Sequence, residues 1–260
     1  MRKALNIFAV LLVIASLAGM MGFASRQRHQ VVCKDIQVKL TNSDKWHFLE
    51  EDAIKEMLKD MGAPVLQQPV NEIPLAMLEN KLRNNPYVKR ADLYITLDGH
   101  LEAKVTQREP IARIMAGPGR SYYLDRDGVF MPPSPHYAAH VPVINGYLRI
   151  PYLAGSSVME HAVPTSDSIV LRDLYRLVQF IHGDAFWQAQ IEQIYVNERK
   201  DIELIPRVGD HRIILGSVDQ MEDKFSKLRI FYTEGLNHTD WNLYSTINLK
   251  YKNQIICTKR

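Results

Sequence analysis

The stretch that decides the fold is YVKRADLYITLDGHLEAKVTQREP, residues 87–110. Ala91, Leu93, Ile95 and Leu97 alternate with polar residues, and Leu101, Ala103 and Val105 alternate in the same way after Asp98-Gly99. Period-2 alternation on both sides of an Asp-Gly pair is the signature of a β-hairpin with a tight turn. Upstream, VVCKDIQVKL (residues 31–40) sets Ile36, Val38 and Leu40 against Asp35, Gln37 and Lys39, which predicts another half-buried strand. Between strand and hairpin the period changes to that of a helix. In FLEEDAIKEMLKDMG (residues 48–62), Leu49, Ala53, Ile54, Met57, Leu58 and Met61 fall on one stripe, acidic residues fill the first turn, and Gly62 and Pro64 stop it. A second helix starts near Pro74, buries Leu75, Leu78 and Leu82, and ends before Pro86. The order strand, helix, helix, strand, strand predicts a compact α+β unit with both helices on one face of a small sheet.

Beyond REPIARI (residues 108–114) the pattern becomes short strands. YYLDRDGVFMP reads as a hairpin turning at Arg126-Asp127-Gly128; Val129 and Phe130 stand where a calcium loop would need oxygen ligands. A helix is predicted over residues 166–182, burying Ile169, Val170, Leu174, Leu177, Val178 and Ile181. Strands follow in IEQIYVN, DIELIP and RIILG, then a helix over residues 219–234 with Met221, Phe225 and Leu228 inward, Ser217 as its N-cap and Gly235 as its stop.

The last residues, INLKYKNQIICTKR, raise a separate question. Ile247, Leu249 and Tyr251 alternate with Asn248, Lys250 and Lys252; Lys252-Asn253-Gln254 offers a turn; Ile255-Ile256-Cys257 resumes an apolar run. A final strand that pairs on one side leaves an edge, which is either blunted by charge or used to dock another chain.

The 260 residues are 46% apolar and 23% charged, with a net charge of +3 spread along the chain. No basic face of the kind that binds nucleic acid emerges. Leu5 to Ser25 carries no charge, and at about 1.5 Å per residue it spans roughly a bilayer core. We read it as an uncleaved anchor, because the apolar part of a signal peptide is only about 7–15 residues long. Arg2 and Lys3 lean towards a cytoplasmic N-terminus. Cys33 and Cys257 are too few and too far apart for a disulfide framework and are expected to be separate thiols.

Nothing local points to catalysis. There is no G-x-S-x-G, S-x-x-K, H-E-x-x-H or phosphate-binding glycine loop; His136 and His140 lie among prolines that preclude a metal-binding helix, and Asp125 and Asp127 read as turn formers. No catalytic, cofactor or metal residue is nominated.

NNPYVKRADLYITLDGHLEAKVTQREPIARI, YYLDRDGVFMP, VPVINGY, IILGS and INLKYKNQ, in this order behind an apolar N-terminus, together resemble the FtsQ/DivIB cell-division family in its Bacteroidetes-like form. The resemblance implies an inner-membrane, single-pass protein of the division septum. It would have a cytoplasmic tip and transmembrane helix (1–30), a periplasmic POTRA domain (31–110) and a β-rich domain with helices (111–260). It implies a non-enzymatic scaffold that joins FtsB/DivIC-like and FtsL-like proteins to septal peptidoglycan synthesis. The family's docking surface would fall on Asn248, Lys250, Tyr251, Lys252, Asn253, Ile255, Ile256 and Cys257, and its POTRA recruitment patch on Leu93, Ile95 and Gln107. Asn248 stands where relatives carry Asp, and Gln107 where an acid is common. The alternatives are a POTRA component of an export or outer-membrane assembly system, and a membrane-tethered cell-wall enzyme.

Overall fold

A computed structural model describes residues 12, 14–16, 31–60, 65–117, 119–148, 154–160, 166–236 and 240–260. The chain divides into two compact units, the first ending at Gln107 and the second beginning at Arg108. Of the expected anchor only residues 12 and 14–16 are described, and they are helical; the rest of residues 5–25 lies outside the described residues, as do Met61, Gly62 and Pro64. Among the described residues no helix is long and apolar enough to cross a membrane.

The first unit has the predicted order: β1 (Asp35–Thr41), α1 (Glu51–Lys59), α2 (Leu75–Arg83), β2 (Val88–Ile95) and β3 (His100–Gln107). The three strands form one sheet in the order β1-β3-β2. β1 runs parallel to β3, Ile36 opposite Leu101 and Val38 opposite Ala103, while β2 and β3 form the hairpin. Alternation decides which face is buried: Ile36, Val38, Leu40, Ala91, Leu93, Leu101, Ala103 and Val105 meet Ile54 and Leu58 of α1 and Leu78 and Leu82 of α2. Each fully buried leucine contributes about 1.5–3 kcal/mol. Leu97, expected to extend the strand, is instead 85% exposed, because the Gly99 N–H returns to the Thr96 carbonyl and closes the turn early. Gly99 has φ +88°, and a Cβ there would lie 2.5 Å from the Val32 carbonyl, so the turn admits only glycine.

The second unit is built on one sheet: β4 (Pro110–Met115), β5 (Ser121–Asp125), β6 (Phe130–Met131), β7 (Val143–Gly146), β8 (Ile191–Val196), β9 (Ile202–Pro206), β10 (Arg212–Gly216), β11 (Tyr244–Asn248) and β12 (Ile256–Lys259). Its strand order is β12-β11-β10-β9-β8-β7-β4-β5-β6. Among the described residues three α-helices accompany it: α3 (Ser166–His182), α4 (Ala185–Gln190) and α5 (Met221–Ile230). Leu174, Leu177, Val178 and Ile181 of α3 and Phe225 and Leu228 of α5 are buried with Ile144, Ile194, Leu204 and Ile213 of the sheet. The expected 126–128 turn is present, with Gly128 at φ +78° and Asp125 accepting from the Asp127 and Val129 N–H groups.

Two details of α5 differ from the sequence reading. Ser217 donates to the Asp219 carboxylate instead of capping the helix, which starts after Gln220 in a left-handed conformation. At the other end the helix widens into a π turn, Phe231–Gly235, and Gly235 lies inside that turn. α4 was not anticipated: Asp184 caps it by accepting from the Phe186 and Trp187 N–H groups, and the same carboxylate holds Arg229 of α5. Arg229 lies 4.9 Å over the Phe186 ring, tying α4 to α5.

Candidate functional site

The terminal hairpin forms one end of the larger sheet. β12 pairs antiparallel with β11, Ile247 opposite Cys257 and Asn248 opposite Ile256, and no described residue pairs with its other side. The Arg260 N–H donates to the Leu243 carbonyl on the β11 side. Main-chain groups alternate sides along a strand, so Thr258 and Ile256 also face β11, while those of Cys257 and Lys259 face outward. Side chains alternate as well: Cys257 is half-buried and packs with Ile255 against the core, whereas Ile256, Thr258 and Lys259 are exposed.

The residues before this strand are arranged differently from the predicted alternation. β11 ends at Asn248, whose Oδ1 accepts from the Lys250 N–H at 3.0 Å and turns the chain aside. Leu249 is buried and donates its N–H to the Ile214 carbonyl, and Tyr251 is outside any strand and 49% exposed. Asn253 has φ +63°, the left-handed conformation expected of the turn. Lys250 is not an uncommitted charge: its Nζ lies 2.8 Å from Asp201 Oδ2, and its stem crosses Gly216, where a Cβ would sit 2.8 Å from the lysine Cγ. Lys250 and Arg260 are exposed but paired with Asp201 and Asp210, and Lys252 and Lys259 are exposed beside them. Arg260 donates to the Asp210 carbonyl at 2.8 Å, which fastens the end of β12 to the turn before β10.

Beside this hairpin a cleft of about 380 Å³ separates α5 from residues 249–253. Ile230 and Tyr251 supply exposed apolar surface there. Lys224 forms part of its lining; its Nζ donates to the Leu215 and Ser217 carbonyls, and burial pushes its pKa below the ordinary lysine value. The sequence reading did not include Ile230. The available signal is that it falls off the buried stripe of Met221, Phe225 and Leu228, leaving a large apolar residue on a polar face.

The opposite end of the same sheet is closed. The Phe130 N–H donates to the Ser156 carbonyl and the Phe130 carbonyl accepts from the Gly155 N–H, both at 3.0 Å, so residues 155–157 lie along β6.

The expected recruitment residues of the first unit do not form a surface. Leu93 is buried in the core, Ile95 is only half-exposed, and Gln107 is 1% exposed. Gln107 holds the segment that leads into α1: its Oε1 accepts from the Leu49 N–H at 3.0 Å and its Nε2 donates to the Trp46 carbonyl at 2.9 Å. An amide supplies both an acceptor and a donor here, which a carboxylate would not.

Both cysteines are free, and burial raises both thiol pKa values. Among the described residues no group of three or more His, Cys, Asp or Glu side chains is placed to hold a metal ion.

The family model "FtsQ/DivIB, C-terminal related" matches residues 109–258, and "POTRA-like domain" matches residues 31–106. The chain is 25% identical over 187 residues to the cell division protein FtsQ of Geotalea daltonii, a match that takes in 71% of this chain and 63% of that relative.

Proposed function

The chain belongs to the FtsQ/DivIB family, with a POTRA-like domain and a β-rich domain that together make an α+β protein; from that premise we propose that it is a non-enzymatic cell-division scaffold. Residues 1–30 hold it in the inner membrane with a cytoplasmic N-terminus, and both folded units stand in the periplasm at the septum. Its work is to bind extended segments of FtsB/DivIC-like and FtsL-like proteins and so couple them to septal peptidoglycan synthesis.

The observation that carries this reading is the open outer side of β12, where the main-chain groups of Cys257 and Lys259 have no described partner. An added strand pairs with those groups, which gives affinity, while alternate side chains and neighbouring charges give specificity. Lys252 and Lys259 favour an acidic segment. Tyr251 and the cleft beside α5 offer an apolar contact for the residues that flank it.

The test is co-purification of the full chain with the periplasmic segments of FtsB/DivIC-like and FtsL-like proteins from the same organism, compared with Lys259→Pro. Proline there removes an outward N–H and leaves the bonds to β11, as edge strands tolerate. Loss of capture with an unchanged melting temperature supports docking at β12. Capture that persists moves the interface elsewhere, and capture by neither form returns the protein to the export-system alternative.

A further inference from the structure

The edges of the smaller sheet are unequal in the same sense as those of the larger one. Along β2 the Leu93 N–H donates to Glu79 Oε1 at 2.9 Å and the Ala91 carbonyl accepts from Arg83 at 3.4 Å, so side chains of α2 occupy the groups that an added strand would need. Along β1 the situation changes partway. The Cys33 N–H donates to the Gln68 carbonyl and the Cys33 carbonyl accepts from the Gln67 N–H, so residues 67–70 run antiparallel against residues 31–33. The Lys34 N–H, in contrast, donates to the Gly99 carbonyl on the β3 side. Alternation from these two anchors turns the main chain of Ile36, Val38 and Leu40 towards β3 and that of Asp35, Gln37 and Lys39 to the open side. The parallel pairing with β3 has no register break that would reverse this order. Among the described residues nothing pairs with that open side.

A groove of about 290 Å³ lies along it, lined by residues 35–38 with Lys55 and Lys59 of α1 and the partly exposed Leu66. The one carboxylate in this lining, Asp35, is turned back to accept from the Ile36 N–H. The groove therefore presents a row of strand donors and acceptors, an apolar patch at Leu66, and two ammonium groups on the helix wall, of which Lys55 is shared with Asp52 one turn earlier at 3.4 Å. The chain itself already demonstrates that this edge accepts an antiparallel strand, one residue pair before the groove begins.

We propose that the open part of the β1 edge, from Asp35 to Lys39, is a second strand-docking site, and that its occupant is an extended acidic peptide segment of a partner protein. The segment pairs with the Gln37 and Lys39 main chain, sets carboxylates towards Lys55 and Lys59, and rests an apolar side chain on Leu66. The site is independent of β12 and of any reading of the terminal hairpin.

The test uses the full chain in detergent and a short synthetic peptide of alternating glutamate and valine, with its lysine–valine counterpart as control. Two readouts are taken: peptide affinity, and amide hydrogen exchange at Gln37 and Lys39. The expected result is slowed exchange at those amides with the acidic peptide, and affinity reduced on the order of tenfold both by Lys55→Glu with Lys59→Glu and by Gln37→Pro. Lys59→Glu alone changes an exposed helix position and leaves the Lys55–Asp52 ion pair intact, so a reduced affinity there decides the matter if the proline variant does not fold. Unchanged exchange, equal binding of the basic peptide, or affinity retained in the charge-reversed form would overturn the proposal.

Discussion

β6 and β12 are the two ends of one sheet, and they are finished in opposite ways. At β6 a loop is laid along the strand, and Phe130 exchanges both main-chain bonds with residues 155 and 156. At β12 the outward groups of Cys257 and Lys259 meet no described residue, although the strand itself is held in place by Ile255 and Cys257 in the core and by Arg260 on Asp210. An exposed strand edge is a standing liability for aggregation, and proteins manage it explicitly. This chain manages β6 with a loop and β2 with Glu79 and Arg83, whereas among the described residues nothing covers β12 or the Asp35–Lys39 part of β1. A firmly held strand with a bare edge suits docking, because the partner then loses freedom while the protein loses little.

Substitutions can break this comparison, and they rank by how far they lie from a free edge. The largest effect is expected at the middle of the larger sheet. Gly146, at φ +112°, lies so close to β8 that a Cβ would stand 2.1 Å from the Val196 carbonyl. Gly146→Ala should prevent the second unit from folding, seen as loss of its thermal transition, since neither backbone can yield. Next comes the turn that supports the closed edge. Asp125 is 1% exposed, pairs with Arg108 at 2.9 Å and accepts two turn N–H groups. Asp125→Ala should cost about 3–5 kcal/mol in chemical denaturation, because it strands a partly buried guanidinium as well as the turn.

A smaller change should convert a closed edge into an open one. Glu79→Ala frees the Leu93 N–H, with an expected cost of about 1 kcal/mol and faster amide exchange at Leu93, while Glu79→Gln should keep both values near those of the parent. If exchange at Leu93 does not change, the side-chain closure of β2 is not real.

The smallest shift is expected with pH. His211 is buried, its Nε2 lies 2.7 Å from the Tyr232 hydroxyl, and Asp210 and Arg260 are the charged groups acting on it. Burial, helped by Arg260 and opposed by the Trp241 carbonyl, an acceptor for the protonated ring, and by Asp210, holds its pKa below the ordinary 6.5. Above that value folded and unfolded forms are both neutral and the stability is complete. As pH falls through it the unfolded chain takes up the proton first, so stability declines. The melting temperature of the second unit should therefore fall between neutral and mildly acidic pH, and His211→Gln should flatten the dependence.

Alternation and helical stripes made much of the fold legible. The 87–110 hairpin, α3 and the strands from β8 to β10 carry long, consistent patterns, and local preference agrees there with what the core needs. α4 escaped because it has only six residues, and its stability comes from Asp184 and Arg229, which are far apart in sequence. Tyr251 was misread because Asn248 bonds the main chain two residues on and ends the strand, although Leu249 continues the apolar period. Leu93 and Gln107 look like any strand residues until the partners on α1, on α2 and in the segment leading into α1 are known. The terminal strand is visible in its composition; that β6 is covered while no described residue pairs with the outer side of β12 is tertiary information that no short pattern carries.

The most direct measurement of the central claim is amide hydrogen exchange of the full chain with and without the periplasmic segments of FtsB/DivIC-like and FtsL-like proteins. Docking at the bare edge predicts strong slowing at Cys257 and Lys259 and none at Phe130, whose bonds are already made within the chain. Binding that leaves Cys257 and Lys259 exchanging as before would contradict it.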